Sequence, residues 1–302
     1  MFPSMILAAG YGTRLRPLTG RLPKPLVPVG DRPALAHMLD ILRGAGVSRT
    51  VVNAHFGVDA IASFVERDGA CLLSHEPELL GTAGGLAAAV DLIGEGPVIA
   101  WNGDILAPID LRAVAARHIA DRSEATLVVQ PLPAGEGNVG VDAGGRIVRI
   151  RDRRAPGSRE AAGGYFVGVH VLGERIRKRL PARGCVVGDV YVPALEEGVK
   201  LASFRWDGPY VEIGDIAFYI DANLAWLVRE GVPSWVGPGA TVVEGITLDR
   251  SVIGIGAEVT GSGALERCVV WPGARVEAPL ADAVVLPGAV VPRPHAKGNA
   301  HP

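Results

Sequence analysis

The chain has 302 residues, of which 48% are hydrophobic and 21% are charged, and its formal net charge is -2. This length favours two domains, and the composition is typical of a globular protein with a sizeable core. The near-neutral charge gives no support for a nucleic-acid partner or for binding to an acidic membrane surface.

Targeting and redox features indicate a cytoplasmic protein. No apolar run approaches the ~18–20 residues that span a bilayer, and the N-terminus lacks the pattern of a secretory signal. The three cysteines, Cys71, Cys185 and Cys268, are widely spaced and form neither a disulfide framework nor a zinc pattern. We therefore expect reduced thiols and no membrane attachment.

Strand and helix patterns alternate up to about residue 229. Predicted strands lie at Met5–Ala9, Thr50–Asn53, Cys71–Ser74, Val98–Trp101 and Ala125–Val129. Predicted helices lie at Pro33–Ala45, Val58–Val65, Thr82–Leu92 and Ala113–Ala120. The succession predicts an α/β domain with a mostly parallel sheet, whose ligands bind beyond the carboxyl ends of the strands.

The last part of the chain has a different sequence pattern. Four similar seven-residue repeats appear from residue 236: VGPGATV, IGIGAEV, VWPGARV and VLPGAVV. Their Gly-Ala pairs start at Gly239, Gly256, Gly273 and Gly288, in steps of 17, 17 and 15 residues. Such a period predicts stacked coils that share one core, although a small irregular β domain is the alternative.

A glycine loop follows the first predicted strand in the segment MILAAGYGTR. Gly10 and Gly12 allow a tight turn with backbone N–H groups directed at an anion, and Arg14 offers a fork that suits phosphate. Lys24, held between two prolines, adds a point charge. Leu15 excludes the dinucleotide fingerprint, and the P-loop spacing is also missing. An ordinary glycine turn with surface Arg and Lys is the alternative.

The glycine loop and the segment around Lys24 lie in one stretch, LAAGYGTRLRPLTGRLPKPLVPVGDRPAL. This stretch resembles the N-terminal signature of nucleotide-sugar pyrophosphorylases, the sugar-1-phosphate nucleotidyltransferases. The resemblance covers roughly residues 4–229, and a β-helical tail is common in the family. It implies a Rossmann-like catalytic domain with a mostly parallel mixed sheet at 1–229. A short left-handed parallel β-helix of hexapeptide repeats would occupy 233–292, followed by a flexible tail at 293–302.

The resemblance also implies roles in nucleotide binding. Arg14 and Lys24 would be catalytic, neutralising charge on the α-phosphate and on the departing pyrophosphate. Glu76, in HEPELLGTAGG, would accept hydrogen bonds from the base edge, which suits guanine, uracil or thymine better than cytosine or adenine. The other implied nucleotide contacts are Leu7, Ala8, Ala9, Gly10, Gly12, Thr13, Gly81 and Thr82.

A metal site is implied as well. Asp104, in WNGD after a predicted strand, matches the residue that holds Mg²⁺ in the family. The usual second ligand is an Asp in the pattern Trp-x-Asp-x-Gly-Thr, but this chain has Glu212 there, with Asp215 at the Thr position. Either carboxylate could be the second ligand, and Glu212 is preferred because it occupies the matching position.

The sugar side departs further from the family pattern. Gly140 and Gly164 match glycines that contact the sugar. Asp152 and Arg153 stand where many members carry Glu and Lys of a Glu-Lys-Pro motif, so Arg153 would hold the sugar phosphate with two donors. A basic surface turn is the alternative for this pair.

The expected reaction is the transfer of a nucleotidyl group from a nucleoside triphosphate to a sugar 1-phosphate, with GTP and mannose 1-phosphate preferred. A uridylyl- or thymidylyltransferase acting on an N-acetylated hexose or glucose 1-phosphate is the alternative. A regulatory paralogue that binds nucleotide sugars without turnover also stays open, although Arg14, Lys24 and Asp104 are all present. A homo-oligomer through the β-helix is possible.

Overall fold

The computed structural model describes residues 1–294, so most of the predicted tail, 295–302, lies outside the described residues. Two compact units divide the chain. The first unit joins Met1–Tyr11 to Met38–Tyr210, and the second joins Gly12–His37 to the chain from Val211 onward. The signature segment is therefore shared, with Leu7–Tyr11 in the first unit and Gly12–Lys24 in the second.

The strands are short in both units, and most have between two and five residues. In chain order they are β1 (Ser4–Leu7), β2 (Pro28–Val29), β3 (Arg32–Pro33), β4 (Thr50–Ala54), β5 (Cys71–His75), β6 (Val98–Asn102), β7 (Ile105–Leu106), β8 (Ala125–Leu132), β9 (Val139–Val141), β10 (Ile147–Ile150), β11 (Arg153–Arg154), β12 (Ala162–Leu172), β13 (Leu201–Arg205), β14 (Val211–Glu212), β15 (Trp235–Val236), β16 (Thr241–Val242), β17 (Thr247–Asp249), β18 (Val252–Ile253), β19 (Glu258–Glu266), β20 (Val269–Val270), β21 (Arg275–Ala281), β22 (Ala283–Leu286) and β23 (Ala289–Pro292).

The α-helices belong mainly to the first unit. They are α1 (Ala34–Gly44), α2 (Val58–Asp68), α3 (Gly81–Ala88), α4 (Val90–Ile93), α5 (Leu111–Asp121), α6 (Glu174–Arg177), α7 (Val192–Glu196) and α8 (Ile216–Glu230). Tighter 3₁₀ turns occupy Thr13–Leu15, Leu18–Gly20 and Lys24–Leu26, and a π-helical turn occupies Val186–Tyr191. Within residues 1–294, no helix is long and apolar enough to cross a membrane.

The first unit is built on one ten-stranded mixed sheet. Its main path runs β11-β10-β9-β12-β6-β1-β4-β5, and β8, which pairs with β12 and β13, lies off this path. Strands β6, β1, β4 and β5 are parallel neighbours, whereas β12 pairs antiparallel with β6, β8 and β9. The sheet is Rossmann-like and mixed, as predicted, but it is not mostly parallel, because four of its strand pairs are parallel and five are antiparallel. The carboxyl ends of four parallel strands lie along one edge.

The central strands are apolar because both of their faces are covered. Met5, Ile6, Val51 and Val52 are fully buried, and Ala100 on β6 is buried with them. Continuous burial of this kind is typical of parallel strands inside an α/β domain. The loops that follow these strands are therefore held on a rigid core.

The second unit contains stacked parallel strands with the predicted period. Trp235 pairs with Val252, Val252 with Val269 and Val269 with Val284, which are steps of 17, 17 and 15 residues. Each of the four repeated glycines has a positive φ, from 64° to 80°. A glycine therefore makes the same turn in every coil, since this conformation disfavours other side chains. The coils agree with a β-helix, and their left-handedness stays a prediction.

A polar chain of contacts ties the coils to the rest of the second unit. The indole N–H of Trp271 donates to the Tyr219 hydroxyl (2.9 Å), which donates to the carbonyl of Pro28 (2.6 Å). Tyr219 lies on α8, and both aromatic side chains are buried. Buried hydroxyl and indole groups need such partners. This network therefore fixes α8 against the coils and against the Gly12–His37 segment of the same unit.

Candidate active site

In the first unit, β4 and β6 are the parallel neighbours of β1, which leads into the Leu7–Tyr11 part of the signature segment. Gly103 donates its N–H to the carbonyl of Leu7 (2.9 Å), and a Cβ at residue 103 would lie 2.7 Å from that oxygen. Only glycine allows this approach. The turn directs the chain from β6 past the end of β1, and partly buried Asp104 follows at once. The predicted metal ligand therefore follows a strand that lies beside β1.

A buried polar network supports the same segment from β4 and β5. The N–H of Ala8 donates to Oδ1 of Asn53 (2.6 Å), and Nδ2 of Asn53 donates to Oε1 of Glu76 (2.6 Å). The N–H of Leu80 donates to Oε2 of Glu76 (3.0 Å). Glu76 is 1% exposed. The predicted contact of Glu76 with a base edge stays a prediction, and in this structure protein donors engage both carboxylate oxygens.

Gly85 makes room for this network. A Cβ at residue 85 would lie 2.6 Å from Oε1 of Glu76 and 2.7 Å from Nδ2 of Asn53. Any larger side chain on this turn of α3 would therefore push the amide and the carboxylate apart. Of the two adjacent glycines in the GTAGG run, Gly85 is therefore the one whose missing side chain leaves space for the Asn53–Glu76 pair.

A second connection joins the Glu76 backbone to the glycine loop. Nδ1 of His55 lies 3.0 Å from the carbonyl of Glu76, and Nε2 of His55 lies 3.1 Å from the Tyr11 hydroxyl. Because a carbonyl only accepts, Nδ1 donates to it, and Nε2 shares the second hydrogen bond with the Tyr11 hydroxyl. Tyr11 also packs edge-on against His55, with ring centroids 5.4 Å apart.

The start of α3 packs against the segment around residue 184. Gly81 has a φ of 76°, and a Cβ there would lie 2.4 Å from the carbonyl of Gly184. The Thr82 hydroxyl accepts from the N–H of Val186 (2.8 Å). Both predicted nucleotide contacts therefore have structural roles, and their contact with a base stays a prediction.

In the second unit, the two pieces of the signature fold against each other. Gly12 has a φ of 61°, and a Cβ there would lie 2.8 Å from Cγ2 of Thr19 and 3.2 Å from Cβ of Lys24. The Thr19 hydroxyl donates to the carbonyl of Gly12 (2.8 Å). Thr13 and Arg14 follow, both exposed. The glycine turn, Arg14 and Lys24 therefore lie on one short stretch of folded chain, as the predicted phosphate contacts require.

The two candidate carboxylates for the second metal ligand differ in their partners. Oε1 of Glu212 lies 3.5 Å from Nη2 of Arg14, and its side chain is 42% exposed. Oδ1 of Asp215 accepts from the N–H of Phe218 (3.0 Å) and caps the N-terminus of α8. A helix cap is a sufficient structural reason for an Asp at residue 215. Glu212 ends β14 and caps no helix among residues 1–294.

Two predicted sugar contacts lie next to each other on paired strands. Gly140 on β9 pairs with Gly163, next to Gly164 on β12. A Cβ at Gly140 would overlap the carboxylate of Glu160, at 2.4 Å, and one at Gly164 would lie 2.3 Å from Cγ1 of Val129. Both glycines are thus required by protein packing, and their contact with a sugar stays a prediction.

Behind Gly140 lies a buried ion pair that the sequence reading missed. Nε of Arg149 lies 2.8 Å from Oε2 of Glu160, and the two side chains are 7% and 6% exposed. The hydrogen bond from Arg149 lowers the pKa of Glu160 to about 2. A buried pair of this kind needs additional hydrogen bonds, and the guanidinium also donates to the carbonyl of Gly137 (3.0 Å).

The remaining sugar-phosphate candidates are on the surface. Asp152 is exposed in the turn between β10 and β11. Arg153 donates from Nε to Oε1 of Glu196 (2.6 Å), and its side chain is 54% exposed. A sugar phosphate at Arg153 would compete with Glu196. The predicted roles of Asp152 and Arg153 stay predictions.

Comparison with known proteins identifies the family. A sequence model described as nucleotidyl transferase matches residues 3–228, well over half of the chain. The chain belongs to the nucleotidyl transferase family. The prediction of a sugar-1-phosphate nucleotidyltransferase is thereby confirmed at the level of the family.

Curated relatives match nearly the whole chain. A probable mannose-1-phosphate guanylyltransferase 2 of Arabidopsis thaliana is 30% identical over 293 residues, covering 90% of this chain and 79% of the relative. The mannose-1-phosphate guanyltransferase of Schizosaccharomyces pombe is 28% identical, covering 82% and 71%. The first alignment is too long to be confined to the predicted catalytic domain.

Solved structures agree in fold. The HddC protein of Yersinia pseudotuberculosis, determined in complex with GMP-PN, superposes with a TM-score of 0.63 at 23% identity, covering 75% of this chain and all of that one. At this identity the likeness concerns the fold alone. It supports the Rossmann-like assignment of the mixed sheet in this member of the nucleotidyl transferase family.

Sequence reasoning missed four residues that support the site: Tyr11, Asn53, His55 and Gly85. Asn53 is the last residue of a predicted strand. A polar residue at that position usually indicates only that the strand ends there. Gly85 belongs to the quoted GTAGG run, so its glycine was visible, but the pair that fills its side-chain space was not. Long-range hydrogen bonds of this kind have no periodic signal in a single sequence.

Proposed function

We propose that this protein transfers GMP from GTP to mannose 1-phosphate, giving GDP-mannose and pyrophosphate. The observation that carries the proposal is the match to a probable mannose-1-phosphate guanylyltransferase over 90% of the chain. The nucleotidyl transferase match to residues 3–228 supports the same class of reaction. The choice of guanine as the base and of mannose as the sugar is the more specific part of the proposal.

The reaction needs charge neutralisation more than acid–base chemistry. An oxygen of the sugar phosphate attacks the α-phosphorus, an O–P bond forms, and the bond from the α-phosphorus to the bridging oxygen breaks. Pyrophosphate leaves with that electron pair. Because the nucleophile is already an anion, no general base is required, and the barrier comes mainly from bringing two polyanions together in line.

Arg14 and Lys24 are suited to this task. Arg14 is exposed beside the Gly12 turn, and a Cβ at residue 12 would lie only 3.2 Å from Cβ of Lys24. A glycine turn with exposed N–H groups, a guanidinium fork and an ammonium can each bind phosphate oxygens. In our proposal, Gly10, Gly12 and Thr13 contact the triphosphate, and Leu7 to Ala9 line the nucleoside.

The family generally uses a divalent metal ion, and we propose Mg²⁺. When bound, Mg²⁺ would neutralise phosphate charge and orient the reacting groups. It is usually held by one or two carboxylates together with substrate phosphates. Asp104 and Glu212 supply hard, partly exposed oxygen donors for this purpose. Within residues 1–294, no three or more His, Cys, Asp or Glu side chains form a group that could hold a metal ion by themselves.

The sugar phosphate is assigned to the β9–β12 region. Gly140 and Gly164 lie on this pair of strands, and Asp152 and Arg153 lie in the adjacent turn and strand. We propose that Arg153 leaves Glu196 to bind the phosphate and that Asp152 approaches the sugar hydroxyls. An exposed Arg–Glu pair contributes little free energy, so the exchange of partners costs little.

A pyrophosphate-release assay tests the whole proposal. GTP, UTP, dTTP, ATP and CTP are each combined with mannose, glucose and N-acetylglucosamine 1-phosphates and Mg²⁺. We expect the highest kcat/KM for GTP with mannose 1-phosphate. Preference for UTP or dTTP with another sugar would favour the alternative transferase, and binding of nucleotide sugars without turnover would favour a regulatory protein.

A further inference from the structure

We propose that Glu76 is a positioning residue, which acts through Asn53 on the backbone of the nucleotide loop and does not itself touch the base. The proposal rests on the proposed function for its choice of nucleotide. Its starting observation is that Glu76 is 1% exposed, with both carboxylate oxygens engaged by protein donors. A base could reach this carboxylate only if the protein around it moved, because so little of the Glu76 surface is exposed.

The network has a direction that leads to the loop. Glu76 accepts from the amide nitrogen of Asn53, which leaves Oδ1 of Asn53 facing the N–H of Ala8 (2.6 Å). Without Glu76, the Asn53 amide could rotate and present its nitrogen to Ala8, so that two donors would face each other. The carboxylate therefore sets the orientation of the amide, and the amide holds the first residue after β1.

Two further contacts point to the same role. The carbonyl of Glu76 is bound by His55, whose other ring nitrogen contacts the Tyr11 hydroxyl. Gly85 leaves the space in which the Asn53–Glu76 pair lies. Residue 76 thus braces the segment from Ala8 to Tyr11 at both ends, through its side chain and through its backbone. Such bracing holds a binding loop in place before the ligand arrives.

An exchange of side chains tests the proposal. Asn53→Asp alone sets two carboxylates against each other. Glu76→Gln alone leaves one side-chain oxygen for two donors, Asn53 and Leu80. The double variant Asn53→Asp/Glu76→Gln can keep every bond: Ala8 to the new carboxylate, the new amide nitrogen to that carboxylate, and Leu80 to the new amide oxygen.

The expected result is a rescue without a change in base preference. Each single variant raises the GTP dissociation constant, measured by calorimetry, by about tenfold and lowers the Tm. The double variant returns both values close to those of the wild type. The ratio of kcat/KM for GTP to that for ITP, which lacks the exocyclic amino group of guanine, stays unchanged in all variants. Glu78→Gln, an exposed neighbour, serves as the control for loss of charge.

A changed GTP-to-ITP ratio in Glu76→Gln that the double variant does not restore would overturn the proposal and favour direct contact with the base. Failure of the double variant to recover GTP affinity would also overturn it. If a single variant does not fold, the GTP-to-ITP ratio of the double variant is compared with that of the wild type. An unchanged ratio supports the proposal, and a changed ratio overturns it. If the wild type prefers another nucleotide, the proposed function fails, and the same comparison of affinity and Tm is made with that nucleotide.

Discussion

Nη2 of Arg14 lies 3.5 Å from Oε1 of Glu212, although the two side chains are 68% and 42% exposed. Both residues are predicted to bind charged ligands, Arg14 a phosphate and Glu212 a metal ion. An exposed ion pair is worth only about 0–1 kcal/mol. Breaking the pair therefore costs little free energy. Arg14 can bind a phosphate, or Glu212 a metal ion, without a large penalty.

The identity of the second metal ligand can be decided with two variants. We expect Glu212→Ala to raise the Mg²⁺ concentration for half-maximal turnover and to lower kcat by at least ~100-fold, the scale of losing one preorganised charge contact. Asp215→Ala should leave the Mg²⁺ response unchanged and destabilise the fold by about 1 kcal/mol, because it removes the cap of α8. The reverse pattern, with the Mg²⁺ response lost only in Asp215→Ala, would assign the metal to Asp215.

The charged groups around the phosphates should be individually indispensable. Arg14→Ala and Asp104→Ala are each expected to lower kcat by at least ~100-fold in the pyrophosphate assay. Neither change should lower the Tm strongly, since the Arg14 side chain is mostly exposed and Asp104 is only partly buried. Arg175→Ala, whose side chain is 87% exposed, is the matched control for loss of a surface arginine. Near-normal turnover in either test variant would remove that residue from the mechanism.

How much the sequence predicted depends on the range of the interactions involved. Helix α1 was predicted at Pro33–Ala45 and spans Ala34–Gly44, because its apolar spacing and terminal glycines are local signals. The coil period of 17, 17 and 15 residues was likewise visible in the glycines. The predicted helix Thr82–Leu92 is two helices, α3 and α4, which meet at Ala89.

The residues of the candidate site were harder to interpret. Strand β1 was predicted to reach Ala9 but ends at Leu7, because the N–H of Ala8 bonds to the side chain of Asn53 and not to a strand. The burial of Glu76 depends on this same amide and on the missing side chain of Gly85. Such contacts join residues 45 and 23 positions apart along the chain. A motif identifies these positions but does not show which groups they contact.

The turn at Gly12 should be sensitive to any side chain. We expect Gly12→Ala to lower kcat/KM for GTP by about 100-fold, the scale of a misplacement of about 1 Å, because the new Cβ would lie 2.8 Å from Thr19. Gly157→Ala is a matched control, since Gly157 has a similar φ of 63° but nothing within 4 Å of a Cβ. Both variants should lose about 1–2 kcal/mol from backbone strain. Equal losses of activity would show that strain alone matters.

Stability should fall at mildly acidic pH because of a buried histidine. Burial lowers the pKa of His170 to about 3, and the ring contacts the Tyr191 hydroxyl (2.5 Å). The unfolded chain takes up this proton near pH 6.5 and the folded chain only near 3, so the free energy of unfolding decreases as the pH falls below 6.5. His170→Gln should reduce this slope by up to about 1.4 kcal/mol per pH unit in urea unfolding at pH 6.5 to 5. Burial also lowers the pKa of His37 and His118, so part of the slope should remain. An unchanged slope in His170→Gln, equal to that of the control His75→Gln on the exposed end of β5, would contradict this assignment.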